Sequence, residues 1–326
     1  MKRTGARAEP KSALELSGEA LDLLCAAPRG ALLAYYAGAV PFVLGALFFW
    51  ADMSHGAGAQ DRCFAESLLL AALFAWMKFW QAVFAGSLMR HLTRAPSPPW
   101  TAARALRVMA RQAAVHAYGL VAIPAALLIT FPFGAVYAYY QNLTAAGDEG
   151  TDGRAATSGR AWRLALLWPR QNHLLIWLLS PWLLAAGMAV AFGAVAIVTA
   201  SLPATETAGG MLRVLLAVGL ASQAIVPFSP VGSVVAGNVA ALLVLLPAVL
   251  HRLLGIETSF AVAGWRSILN TTFLATVYAI SYLILDPVLK AAYVIRGFYG
   301  DSQRTGQDLL LALDEERGGN AQRRKA

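Results

Sequence analysis

Long apolar runs constrain the fold of this chain more than any other feature of its sequence. Each run is near the ~20 residues that an α-helix needs to cross about 30 Å of hydrocarbon. They occupy 31–51, 67–89, 119–140, 174–200, 233–254 and 268–289. Because 58% of the residues are hydrophobic and only 13% are charged, the chain is too apolar for an ordinary soluble globule. The sequence therefore predicts an all-α, polytopic transmembrane helical bundle of about six spans with amphipathic interfacial helices.

The positions of the runs predict three parts. These are a cytoplasmic amphipathic N-terminal segment over 1–29, a transmembrane helical domain over 30–290 and a cytoplasmic C-terminal tail over 291–326. The first run is too long for the apolar core of a signal peptide, so we expect it to be retained as a span. Within the transmembrane domain, 141–160 is predicted to be a mobile polar loop, because its Gly, Asp, Thr and Ala content gives it little to pack.

The distribution of basic residues predicts the orientation of the spans. The connection over 90–111 carries several Arg and no acid, and the tail after Leu289 is also basic. Both are therefore expected on the cytoplasmic side, which six spans allow with both termini inside. The short segment 211–226, interrupted by Arg213, is expected to re-enter or lie on the surface rather than span.

Three further segments, over 14–25, 101–112 and 161–173, have the periodicity of amphipathic surface helices. In the first of them, the apolar positions at helical spacing are Leu14, Gly18, Leu21, Leu24 and Cys25. We expect all three helices to lie at the membrane surface.

Basic and polar groups in the second and third segments are candidates for binding anionic headgroups. Arg104, Arg107 and Arg111 are spaced three and four residues apart with no acid between them, which suits a negatively charged lipid surface. Arg170 and His173 lie at the start of a span, where unpaired backbone N–H groups favour anions. Helix capping is the alternative role for His173.

Polar side chains form a stripe on the last predicted span. It consists of Thr271, Tyr278, Tyr282, Asp286, Lys290 and Tyr293, which share about a third of the helix circumference. Because lipid offers these groups no hydrogen-bond partner, we expect the stripe to face the protein interior. Lys78 lies in the middle of another span and has the same requirement. Either Lys78, Tyr282, Asp286 and Lys290 form an intramembrane polar site, or Asp286 and Lys290 simply end their span at the interface.

Several chemistries have no support in the sequence. No two His or Cys are spaced as metal ligands, and no nucleotide-binding glycine pattern occurs, so neither a metal nor a cofactor is predicted. Ser302 follows a Gly-Asp pair like an esterase nucleophile, but no His follows it to act as its base. The charge of +8 is concentrated in short flanks and does not imply a nucleic-acid partner. Cys25 and Cys63 are separated by the first span, which excludes a disulfide between them.

Four stretches of the chain resemble a known group of sequences. They are Leu285-Asp-Pro-Val-Leu-Lys-Ala-Ala-Tyr-Val-Ile-Arg-Gly-Phe-Tyr-Gly-Asp-Ser-Gln-Arg-Thr-Gly-Gln-Asp-Leu309, Leu269-Asn-Thr-Thr-Phe-Leu-Ala-Thr276, Leu167-Trp-Pro-Arg-Gln-Asn-His173 and Phe49-Trp-Ala-Asp-Met53. Together they are similar to a group of uncharacterised bacterial polytopic membrane proteins. The resemblance implies a bacterial cytoplasmic membrane and carries over no catalytic residue.

Two functional hypotheses follow. The first is a non-enzymatic membrane scaffold or accessory subunit that binds anionic lipid headgroups and other membrane-protein subunits. The alternative is a small transporter or an intramembrane lipid-processing enzyme that uses a polar site around Lys78, Asp286 and Lys290. The two differ in whether these side chains converge on one site or scatter to the interfaces.

Overall fold

The computed structural model describes residues 11–117, 134–146, 154–179, 230–255, 270–313 and 317. Within these residues the regular structure is helical, which confirms the predicted all-α class. The main helices are α1 (Ala13–Ala26), α2 (Arg29–His55), α3 (Ala59–Thr93), α4 (Ala102–Val115), α5 (Ala135–Ala145), α6 (Arg154–Leu166), α7 (Pro169–Leu179), α8 (Pro230–Leu254) and α9 (Thr271–Thr305).

Four of the described helices, α2, α3, α8 and α9, are long and apolar enough to cross a membrane. They contain the runs predicted over 31–51, 67–89 and 233–254 and most of the run over 268–289. The predicted spans over 119–140 and 174–200 lie largely outside the described residues, and 211–226 lies wholly outside them. The structure therefore shows a helical protein with several membrane-spanning candidates.

The chain divides into two compact units. Unit 1 comprises Met1–Ala39, Ala72–His173 and Val288–Ala326, and unit 2 comprises Val40–Ala71 and Leu174–Pro287. The divisions fall inside α2, α3, α7 and α9, so each of these helices contributes residues to both units.

Helix α1 begins with a capping box and packs by a face that carries two leucines among small residues. The Ser12 hydroxyl accepts the Glu15 N–H at 3.2 Å, and the Glu15 carboxylate accepts the Ser12 N–H at 2.7 Å. The buried positions are Ala13, Leu16, Ser17, Ala20 and Leu23. The apolar positions that the sequence singled out are on the other side, because Leu14 is 73% and Leu21 51% exposed.

The unit 1 portions of α2 and α3 approach closely at a glycine. A Cβ on Gly38 would lie 2.5 Å from the Cβ of Trp80 and 3.2 Å from the backbone of Met77. Next to this crossing, a core cluster joins α2, α3 and α4 through Ala34, Phe79, Ala82, Val83 and Val108. Small residues at such crossings let transmembrane helices pack without a hydrophobic driving force between them.

In unit 2, α8 packs on the first part of α9 by one narrow face. Ala236 and Val239 contact Phe273 and Val277 in a buried cluster. Only 11% of the most apolar window of α8 is buried, and large apolar side chains cover the rest. Such an exposed apolar surface suits hydrocarbon rather than water.

Two predicted boundaries differ from the observed elements. Much of the predicted polar loop over 141–160 is helical, since α5 extends to Ala145 and α6 begins at Arg154. Helix α9 also continues to Thr305, and residues 291–298 are all buried. The first part of the predicted C-terminal tail is therefore a packed helix.

Candidate functional site

Buried polar side chains recur at every third position in the unit 1 part of α9. Lys290, Tyr293 and Arg296 are at most 3% exposed. Because residues three apart are neighbours on a helix surface, the three side chains share one side of α9. The stripe predicted from the sequence ended at Tyr293, and this row extends it to Arg296.

The first two members of the row bond to amide side chains of other helices. Lys290 Nζ donates to Gln141 Oε1 on α5 at 3.0 Å. The Tyr293 hydroxyl donates to Asn172 Oδ1 on α7 at 2.5 Å. Asn172 is fully buried and its Nδ2 donates to the carbonyl of Gly134 at 3.1 Å. These bonds tie α9, α5 and α7 together inside unit 1.

Arg296 caps the C-terminal end of α6. Its Nη1 donates to the carbonyl of Leu164 at 2.7 Å, and its Nη2 donates to the carbonyl of Leu167. Its Nε donates to Gln171 Oε1 at 3.2 Å. The last carbonyls of a helix lack intrahelical donors and carry the negative end of its dipole, so a guanidinium suits this position.

The corner between α6 and α7 shapes this contact. Trp168 has a φ of 50°, in the left-handed region, and Pro169 begins α7 directly after it. The sequence predicted one amphipathic helix over 161–173, but the structure breaks it here. Sequence reasoning did not identify Arg296 or Gln171 as partners, although the spacing of three from Lys290 to Arg296 was a usable signal.

A second polar group surrounds His116, which follows α4 and is 1% exposed. Its Nε2 lies 3.3 Å from the Thr144 hydroxyl, and its Nδ1 has no hydrogen-bond partner among the described residues. The rings of Tyr140 and Phe74 lie 5.6 and 6.5 Å from the imidazole. Lys78 is 6% exposed, and its ammonium is 5.3 Å from the centre of the Phe74 ring.

Charges from two helices act on this imidazole. Burial, followed by the positive charges of Lys78 and Lys290, holds the pKa of His116 well below its ordinary value. Lys78 Nζ also donates to Gln81 Oε1 at 3.1 Å. The structure thus brings two of the predicted polar-site residues, Lys78 and Lys290, to one buried histidine that the sequence did not single out for the site.

The other two predicted members of that site belong to unit 2. Asp286 is 2% exposed and Tyr282 is half-buried. Of the stripe that was expected to face the protein interior, Asp286 and Lys290 are buried, Tyr278 is half-buried and Thr271 is exposed. Asp286 precedes Lys290 by four residues on α9, across the division between the units.

The predicted headgroup-binding residues differ in their surroundings. Helix α4 is present and is capped by the Thr101 hydroxyl, which accepts the Arg104 N–H at 3.2 Å. The Arg104 guanidinium lies 4.3 Å from the Trp100 ring and donates to the carbonyl of Pro98 at 2.7 Å. Of the remaining candidates, Arg107 and Arg170 are exposed, whereas Arg111 and His173 are half-buried. The exposed pair is the part of this set that is open to a headgroup.

The described residues contain no cluster of three or more His, Cys, Asp or Glu side chains suited to holding a metal ion. Comparison with protein-family models, with curated proteins and with solved structures finds no match to this chain.

Proposed function

We propose that this chain is a multi-pass membrane scaffold or accessory subunit without catalytic activity, which binds anionic lipid headgroups and neighbouring membrane-protein subunits. The observation that carries the proposal is that the polar row on α9 bonds to other helices of the protein. Lys290, Tyr293 and Arg296 each bond to groups on α5, α7 or the end of α6. Polar residues with such fixed partners stabilise the packing of helices rather than transform a substrate.

Exposed groups supply the binding surfaces in this proposal. Arg107 and Arg170 present cationic side chains, and a basic residue near an anionic bilayer surface contributes about 1 kcal/mol to membrane affinity. The apolar surface of α8 suits lipid chains or the spans of a partner subunit.

Reconstitution into lipid nanodiscs tests this proposal. Discs of phosphatidylcholine alone are compared with discs that also contain phosphatidylglycerol, and native mass spectrometry counts the lipids that stay bound. Phosphatidylglycerol should be retained in excess of its share, and salt should weaken the preference because exposed charges are screened. Arg107→Gln should reduce it, whereas Arg107→Lys should preserve it. Retention that matches the lipid mixture at low salt would contradict the proposal.

A specific observation supports the alternative of a small transporter or lipid-processing enzyme. Lys78 and Lys290 act on His116, and the Nδ1 of this imidazole lacks a hydrogen-bond partner among the described residues. A neutral buried imidazole with an open nitrogen is a proton acceptor of the kind that relays use. Proteoliposomes holding a pH-sensitive dye test this. Faster decay of a proton gradient with the wild type than with His116→Gln would favour the alternative, and equal rates would count against it.

For the localisation, we propose a bacterial cytoplasmic membrane with both termini in the cytoplasm. The basic connection over 90–111 supports this orientation, because Lys and Arg in short loops are enriched on the cytoplasmic side. Cys25 precedes α2 in the sequence and Cys63 follows it, so the two cysteines provide the assay given in the Discussion.

A further inference from the structure

A cleft of about 580 Å³ opens in unit 1 near the end of α1 and the end of α3. Ser87, Arg90, His91, Arg94 and Ser97 provide its polar wall. Its apolar wall includes Leu23 of α1 and Pro28 of the segment that joins α1 to α2. None of the predicted headgroup-binding residues lines it.

The chemistry of the polar wall selects for a negatively charged group. Two guanidinium groups, one imidazole and two hydroxyls line the cleft, and the described lining residues include no acidic side chain. The paired N–H groups of a guanidinium match the oxygens of a phosphate, and serine hydroxyls can donate further hydrogen bonds to them. A phosphate that carries an apolar substituent would contact both walls at once.

Compensation of the helix dipole explains only part of this arrangement. Arg90 and His91 are in the last turn of α3, where cations are favourable in any helix. Arg94 follows the end of the helix and has a φ of 55°, in a region that residues with a Cβ rarely adopt. The Ala95 N–H donates to the carbonyl of Arg90 at 3.0 Å and closes this turn. This left-handed residue and its bond form a common type of helix end, so the backbone of Arg94 is explained by capping and its charge beyond the last turn is the part that capping does not require.

We infer that the cleft binds a phosphate group, and that its source is the headgroup of an anionic glycerolipid whose glycerol and first methylenes contact Leu23 and Pro28. The inference rests on the proposed function, since it names one site at which a lipid-binding scaffold would hold its lipid. A soluble phosphate compound shares the phosphate chemistry but has nothing to place against the apolar wall.

Substitutions at Arg94 test the site while keeping the fold. Arg94→Gly removes the charge and suits the left-handed backbone, so it should not destabilise the chain. Arg94→Lys keeps the charge. Arg163→Gln removes an exposed arginine of α6 that does not line the cleft, and serves as the control. All are full-length chains in nanodiscs containing phosphatidylglycerol, and thermal unfolding confirms that each is folded.

The expected result is about fivefold weaker retention of tightly bound phosphatidylglycerol for Arg94→Gly, the change that corresponds to ~1 kcal/mol for one cationic side chain. Retention by Arg94→Lys and Arg163→Gln should stay near the wild type. Wild-type retention by Arg94→Gly, or equal losses for Arg94→Gly and Arg163→Gln, would contradict lipid binding at the cleft. Either result would leave the proposed function standing. Absence of any phosphatidylglycerol preference in the wild type would instead contradict the proposed function.

A separate arm identifies the source of the phosphate. Wild-type protein in phosphatidylcholine discs receives inorganic phosphate or glycerol phosphate, and its thermal unfolding is compared with that in phosphatidylglycerol discs. Stabilisation by the lipid but not by the soluble anions supports the lipid source. Equal stabilisation by a soluble anion, lost in Arg94→Gly, would overturn the lipid assignment.

Discussion

Replacing Arg296 with Met should destabilise unit 1 by an amount that the contacts of the guanidinium predict. Met has a similar length but no donor, so the carbonyls of Leu164 and Leu167 and the side-chain oxygen of Gln171 lose their bonds to Arg296. The Leu164 carbonyl also accepts the N–H of Leu167 at 3.3 Å, so two of the three acceptors are left without another donor among the described residues. Each orphaned acceptor costs about 1–3 kcal/mol when buried.

The expected loss in free energy of unfolding is about 2–4 kcal/mol, the lower part of the range for two acceptors. The lower part applies because the carbonyl of Leu167 is only part-buried and because removing Arg296 also removes the desolvation penalty of its charge. Arg296→Lys should fall in between, since one ammonium keeps the charge but cannot bond to three separated acceptors.

Unfolding in mixed detergent and denaturing detergent, followed by the fluorescence of the nine Trp, measures these differences. Arg163→Met is the matched control, because Arg163 is exposed on the same helix α6 that Arg296 caps. Its unfolding free energy should stay within ~0.5 kcal/mol of the wild type. If Arg296→Met were no less stable than this control, the capping of α6 would contribute nothing and the structural interpretation of the polar row would be refuted.

Three further outcomes are expected. Gly38→Ala should lower the free energy of unfolding in detergent by about 1–3 kcal/mol, because the new Cβ would meet the backbone of α3. Gly30 has open space around it, so Gly30→Ala should be neutral. Similar losses for the two variants would contradict the close approach of α2 and α3. A membrane-impermeant thiol reagent added to intact cells should label exposed Cys63 and should reach Cys25 only after permeabilisation, and the reverse order would invert the orientation. The pKa of His116 is lowered in the folded state, so on acidification the unfolded chain binds the proton first and stability should fall as the pH drops below about 6.5. His116→Gln should flatten that pH dependence, which unfolding curves recorded across pH will measure.

The positions of several spans could be predicted from the sequence because burial in hydrocarbon acts on length and composition. A run near ~20 apolar residues has few other stable environments, and α2, α3, α8 and α9 were found where such runs occur. The burial of Lys78 and Asp286 followed from the same physics, since a charge within a span requires protein or water around it.

The contacts of those charges could not be predicted, because they depend on how separate helices pack. Nothing near Arg296 in the sequence indicates that the end of α6, over a hundred residues earlier, supplies its acceptors. The buried face of α1 is a similar case. Leu16 and Leu23 are buried together with Ala13, Ser17 and Ala20, whereas Leu14 and Leu21 are exposed, and the apolar character of a leucine does not say which of these two faces packs.

The order of effects on His116 bears on the choice between the two functions. Burial is the largest cause of its lowered pKa, ahead of the charges of Lys78 and Lys290. Keeping the imidazole uncharged is therefore not mainly the work of the lysines. Their hydrogen bonds to Gln81 and Gln141 give them a different role, because each fixes a buried cation against an amide oxygen. Lys78 and Gln81 both belong to α3, so of these two bonds it is the one from Lys290 that joins separate helices, α9 and α5. A scaffold requires such a fixed contact, which a site with a moving substrate would have to break.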